Sequence, residues 1–230
     1  KKSRRKKERR ALFFILPRMI EEKGGFRMQR YEGIDVGVDW TDFSILPDGA
    51  KVLYLRVGRG KKEAGCFLRQ AALAKGKGLW VGGCYVLASP DEGTGAREGR
   101  EFAALLEDAD VDCLPALALA GWGDSPERCT GLCAAFLEGM GAEEGMLFAP
   151  SAALLEKLSA GLNRYDLWVA DHCGGLPDLC HKWASWTGWQ YAVYPYQAGS
   201  MGHSLFSEDV LLNSKFGKIC YNDELNKDEG

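Results

Sequence analysis

Histidine, net charge, paired thiols and long apolar runs are all in short supply in this sequence. The 230 residues contain three histidines and carry a formal charge of only −3, too little to imply a nucleic-acid partner. Eight cysteines occur at 66, 84, 113, 129, 133, 173, 180 and 220, with no Cys-x-x-Cys pair. Cys173, Cys180 and His181 therefore lack the second half of a tetrahedral zinc site. Neither a metal nor a cofactor is expected. A disulfide within the 173–180 loop is only slightly better supported than zinc. The apolar stretch at residues 11–17 resembles a signal or anchor core but is shorter than either requires, so no stable membrane span is expected.

The positive charge is gathered at one end. Residues 1–10 carry eight lysines and arginines and one glutamate, the composition of a solvated, disordered arm. The sequence has no initiator Met, and it reads as a piece of a longer protein. The expected organisation is an arm over 1–27, a folded domain over 28–214 and a polar tail over 215–230.

Hydrophobic content of 46% is ample for a core within that domain. Short apolar runs with strand character recur at 32–36, 51–57, 79–85, 114–120, 146–149, 166–170 and 189–193. Helical spacing fills most of the gaps. Phe67, Leu68, Ala71 and Ala72 form one stripe before the Gly76-Lys77-Gly78 stop, Phe102, Leu105 and Leu106 another, and Cys129, Leu132, Cys133, Phe136 and Leu137 a third. Cys84 and Cys113 read as small core hydrophobes. So many strand–helix units in so short a chain predict a parallel sheet closed into a single α/β barrel of TIM-like type. Chemistry in such barrels gathers at the C-terminal strand ends, which is where the run 32–36 places Asp35. The competing reading of Asp35 is an ordinary loop aspartate.

Other candidates follow the strands. Arg56 and Arg59 could hold an anion or be solvated loop residues. Asp171 and His172 follow the sixth strand, His172 reading more simply as a hydrogen-bonded loop residue. The seven tryptophans exceed what core packing demands. Trp122, Trp168, Trp183, Trp186, Trp189, Tyr191, Tyr194 and Tyr196 concentrate in expected strand ends and loops, as in a cleft where rings stack on sugar C–H faces. The alternative is that Trp168 and Trp189 fill the barrel.

Several pieces taken together resemble the glycoside hydrolase family 25 lysozymes. These are Gly33-Ile34-Asp35-Val36, Arg56-Val57-Gly58, Val81-Gly82 with Tyr85, and the group Ala96, Glu98 and Phe102. Leu167-Trp168-Val169-Ala170-Asp171 and Trp186-Thr187-Gly188-Trp189-Gln190-Tyr191 complete the pattern. The resemblance runs over about residues 31–213. It implies a (β/α)5(β)3 barrel, a muramidase acting on the β-1,4 linkages of bacterial peptidoglycan, and an extracellular or cell-wall location, with phage-encoded proteins included. It assigns Asp35 and, from the closing strand after Ser207, Asp209 to catalysis. Tyr85, Trp122, Trp168, Asp171, Trp189 and Tyr191 would bind the glycan. The order Asp209-Val210-Leu211-Leu212-Asn213 departs from the family's Asp-x-Asn.

The family also places an Asp-x-Glu on the fourth strand, where alternation aims both acids into one cleft and supplies the proton donor and the second negative group. Here that run is Leu114-Pro115-Ala116-Leu117-Ala118-Leu119-Ala120, with Ala118 and Ala120 at the two acid positions. Three explanations stay open: a natural pseudoenzyme, a deliberate double knockout, or a shifted register in which Asp124 or Glu127 is the acid. The expected function is a lysozyme-like domain with absent or impaired hydrolysis. Its alternatives are a non-catalytic glycan-binding or structural module, and an active glycosidase with a relocated acid. Oligomeric state is not legible.

Overall fold

The structure is a computed structural model that describes residues 30–40, 43, 46–87, 92–118, 125–141, 144–149, 158–173, 176–177, 179, 182–196, 199–207, 212–213 and 218–219. The basic arm and all of the 215–230 tail except the pair 218–219 lie outside these residues.

Eight strands close into one barrel in sequence order. They are β1 (Arg30–Gly37), β2 (Val52–Val57), β3 (Trp80–Val86), β4 (Ala116–Ala118), β5 (Met146–Ala149), β6 (Asp166–Ala170), β7 (Gly188–Tyr196) and β8 (Gly199–Ser207). Pairs from β1–β2 to β6–β7 are parallel, and β8 runs antiparallel to both β7 and β1. The expected α/β barrel is the observed one.

Helices cover the parallel half. In α1 (Lys61–Lys75) the carboxylate of Glu63 accepts the Gly58 N–H, tying the first turn to the end of β2. α2 (Glu92–Ala109) packs on α3 (Pro126–Met140). α3 has strong local signals at both ends. Ser125 Oγ accepts the Arg128 N–H at 3.3 Å, Pro126 occupies the first turn, and Gly141 ends the helix at φ 62. Phe102 and Phe136 from these helices meet Tyr85 of β3 in a triangle with centroids 5.0–6.0 Å apart.

The closing strand is a correction to the sequence reading, which placed it in 207–213. It is β8, upstream of that segment. Leu212–Asn213 instead forms a two-stranded sheet with Lys218–Ile219. The residues of β8 alternate small and polar with large, Gly-Ser-Met-Gly-His-Ser-Leu-Phe-Ser. Several of its inward positions must be small, which removed the apolar pattern by which the other strands were recognised.

Strand alternation divides the core in two. Ile34, Leu53, Leu55, Val81, Leu147, Leu167 and Val169 face the helices or the outer surface. Val52, Tyr54, Cys84, Ala116, Ala118, Met146, Phe148, Trp168, Ala170 and Phe206 fill the barrel. Trp168 sits among Tyr54, Phe148 and Phe206 at centroid distances of 4.9, 4.6 and 5.1 Å. Its indole N–H donates to Ser204 Oγ at 3.2 Å, and the Tyr54 hydroxyl donates to Leu114 O at 2.8 Å, so both polar tips of this plug are satisfied. Gly82 makes room for it, because a Cβ there would overlap the Tyr54 ring.

Candidate functional site at the barrel mouth

β1 carries Gly33 and Asp35 to the inside of the barrel, Asp35 towards the C-terminal end. Its carboxylate is fully buried. Oδ1 accepts from Gln190 Nε2 of β7 at 2.7 Å. Oδ2 lies 3.2 Å from Arg56 Nε of β2, whose N–H is turned out of line, so this contact is ionic rather than a directed bond. Gln190 Oε1 in turn meets His172 Nε2 at 3.3 Å. His172 is exposed, just beyond the end of β6. A line of four side chains thus runs from Arg56 through Asp35 and Gln190 to solvent. Burial pushes the Asp35 carboxyl above its ordinary range, while Arg56, the Gln190 amide and His172 pull it back.

β4 presents Ala116 and Ala118 to the same interior. Ala116 pairs with Cys84, and Cys84 with Arg56, so Ala118 is one inward position nearer the mouth than the neighbours of the Asp35–Arg56 pair. Ala120 lies outside the described residues, as do Trp122, Asp124 and Asp209. β8 runs away from the mouth and ends where Ser207 pairs with Arg30, at the opposite end of the barrel from Asp35.

Among the described residues, one other carboxylate shares the inward face. Asp166 begins β6, four residues below Ala170, which pairs with Gln190. At 3.3 Å per residue that is about 13 Å along the strand below the level of Ala170 and Gln190. Glycosidase carboxyl pairs stand ~5–9.5 Å apart. Asp166 is instead engaged by the Thr187 hydroxyl at 3.0 Å. Glu98 is buried near the mouth but on the outer side of β3, where it bonds the Tyr85 phenol and lies 3.7 Å from Arg59. Glu127 is exposed in the first turn of α3. The helix's own backbone N–H and Ser125 lower its pKa, the wrong direction for a proton donor at neutral pH.

The aromatic candidates separate by face. Trp168 is completely enclosed in the barrel plug. Trp189 is 2% exposed, points outward and donates its indole N–H to Asp171 O at 2.9 Å. Tyr85 is 5% exposed, wedged between β3 and the helices, and Glu98 raises its phenol pKa alongside burial, which is the larger cause. None of these three rings offers an open face for a sugar: Trp168 fills the barrel, whereas Trp189 packs on its outer side against Trp186 and Tyr191. Tyr191 is half-buried on the outer wall, its hydroxyl donating to Glu32 at 2.9 Å. Asp171 is half-buried beside the mouth and accepts the Cys173 N–H at 2.9 Å.

Two contributors escaped the sequence reading. The motif around Gln190 gives that residue no role of its own in the sequence, and the anion that Arg56 meets is Asp35 rather than an external one. Only pairing between β1 and β2 and across β8 brings them together, and no local signal carries that.

No protein-family model and no curated protein matches the sequence. Solved structures with the same fold do. The structure of a muramidase from Acremonium alcalophilum superposes with a TM-score of 0.61 at 21% identity, over 77% of this chain and 93% of that one. The CTP1L endolysin gives 0.62 at 18% identity, over 77% of this chain and 65% of its own length. The modular autolysin LytC from Streptococcus pneumoniae, solved with a synthetic peptidoglycan ligand, gives 0.61 at 15%, over 81% of this chain and 48% of that chain. The chain therefore has the barrel fold of solved muramidases and endolysins.

Proposed function

We propose that this domain is directed at bacterial peptidoglycan, as a lysozyme-like barrel of the family 25 kind in which hydrolysis is absent or strongly reduced. The observation that carries the reading is the isolation of Asp35. It occupies the inward, mouth-side position at which the resemblance places a catalytic carboxylate, and the other inward-facing strand carboxylate among the described residues, Asp166, lies at the far end of β6 on the Thr187 hydroxyl. The facing strand offers the methyl group of Ala118 instead. General-acid catalysis contributes ~10²–10⁴-fold to rate. Losing it while keeping the barrel separates binding from turnover.

The held state of Asp35 favours the same reading. A carboxylate wedged between a guanidinium and an amide N–H stabilises charge and organises its neighbours, but a protonated donor of ordinary efficiency would need to give up both contacts. The non-catalytic glycan-binding module differs from this reading only in whether residual turnover exists. The relocated-acid alternative is weakened at Glu127 by its lowered pKa and exposure. Cell-wall or extracellular action, phage-encoded proteins included, follows from the same reading. No helix among the described residues is long and apolar enough to cross a membrane.

The test is co-sedimentation with purified peptidoglycan sacculi, with release of reducing ends followed in the same tubes. Sedimentation with little or no release supports the reading. A protein that stays in the supernatant, or that releases sugar at the rate of an intact muramidase, contradicts it.

A further inference from the structure

The line Arg56–Asp35–Gln190–His172 has a direction, and the direction is set at its buried end. An ionised Asp35 is acceptor-only, so Gln190 must turn its Nε2–H2 towards Oδ1, as the 2.7 Å bond shows. The same amide then presents Oε1 to His172 Nε2 at 3.3 Å. A carbonyl oxygen cannot donate, so Nε2 carries the ring proton, and Nδ1 of the neutral ring is left as an acceptor. His172 is the exposed member of this line, at the barrel mouth, whereas Asp35 is wholly buried and Gln190 nearly so.

We infer that His172 is the hydroxyl-reading group of the mouth: Asp35, acting through Gln190, holds the imidazole in its Nε2–H form so that Nδ1 accepts a hydrogen bond from a sugar hydroxyl of the bound glycan. This rests on the glycan reading given above. Asp35 is then a positioning residue whose charge reaches the ligand as the tautomer of another side chain. Arg56 fixes the polarity. In Asp35→Asn the side-chain oxygen would stay beside the guanidinium and the new NH2 would face Gln190. Gln190 would turn over, its NH2 would face His172, and the ring proton would move to Nδ1.

The experiment reads the tautomer directly, from two-bond 15N–1H couplings of the His172 ring at about pH 8.5, where imidazole is neutral. Native protein gives the Nε2–H pattern and Asp35→Asn the Nδ1–H pattern. A merely structural role for His172 would move neither. Should Asp35→Asn not fold, Gln190→Leu serves, in which the native pattern gives way to the mixed tautomers of a free imidazole. The second arm measures sedimentation with purified sacculi. His172→Ala lowers the bound fraction at limiting wall by about tenfold, and His172→Gln, whose amide can donate to Gln190 and still offer an oxygen, recovers most of it. An unchanged coupling pattern in Asp35→Asn and in Gln190→Leu overturns the relay, and full binding by His172→Ala overturns the ligand role. Native protein that does not sediment overturns the ligand role together with the glycan reading, while the couplings still decide the relay.

Discussion

Gln190 and Asp35, 155 residues apart, share a 2.7 Å hydrogen bond across β8, the strand that separates theirs. It is possible because the strand beneath it has no side chain at that point. A Cβ on Gly202, which pairs with Asp35, would overlap both Asp35 Oδ1 and Gln190 Nε2. Gly202→Ala must push the two apart or bow the strand. Overpacking of this kind costs about 1–3 kcal/mol, here with a severed buried bond in addition. Urea denaturation should show at least that loss, and a change below ~0.5 kcal/mol would mean the bond is not formed as described.

Arg56 and Asp35 should behave asymmetrically. Asp35→Asn removes a desolvated charge and leaves a partly exposed guanidinium that water can reach, so stability at pH 7 should change little. Arg56→Leu leaves the carboxylate buried without its cation. Breaking a fully buried pair costs about 3–5 kcal/mol, and the 26% exposure of Arg56 brings the expectation to about 2–3. Combining the two substitutions should restore most of it. Additive losses in the double variant would contradict the pairing.

His203 gives the fold a pH dependence of known sign. Burial beneath Tyr191 and Tyr194 lowers its pKa from 6.5 to about 4. The folded state therefore prefers the neutral ring. That contribution is complete above pH 6.5 and falls away as pH drops towards 4, by about 2–3 kcal/mol at most. Asp35 works oppositely: its raised pKa makes the fold gain stability as pH falls through that value. Denaturation midpoints between pH 7 and 4 should fall in native protein and fall less in His203→Leu. Parallel curves would sink the assignment.

Trp189→Ala should cost stability and not merely glycan affinity. The ring is enclosed against Trp186 and Tyr191 and its N–H is bonded to Asp171, so truncation should cost about 3–5 kcal/mol. A variant of native stability that had lost wall binding would return Trp189 to the surface role that its burial argues against.

The barrel was legible because its strands are short apolar runs between helical stripes, and Asp35 because it ends the first of them. Which way a strand residue points was not. In a sheet covered on both faces, Tyr85 and Cys84 are equally apolar in context, and alternation has no polar side to read. Tyr85 and Trp189 were accordingly expected in the cleft and are found on the outside. β8 was hidden by the small residues that let Gln190 reach Asp35. Ala116 and Ala118 both face the interior.

The central claim is that this barrel is directed at glycan and that its fourth strand lacks the carboxylates needed for hydrolysis. The most direct measurement is reducing-end release from purified peptidoglycan by native protein and by Ala118→Asp combined with Ala120→Glu. Native protein should be near background, and the double variant faster by about two to four orders of magnitude. Native turnover equal to that of the double variant, or a double variant that binds walls and stays inert, would contradict the account.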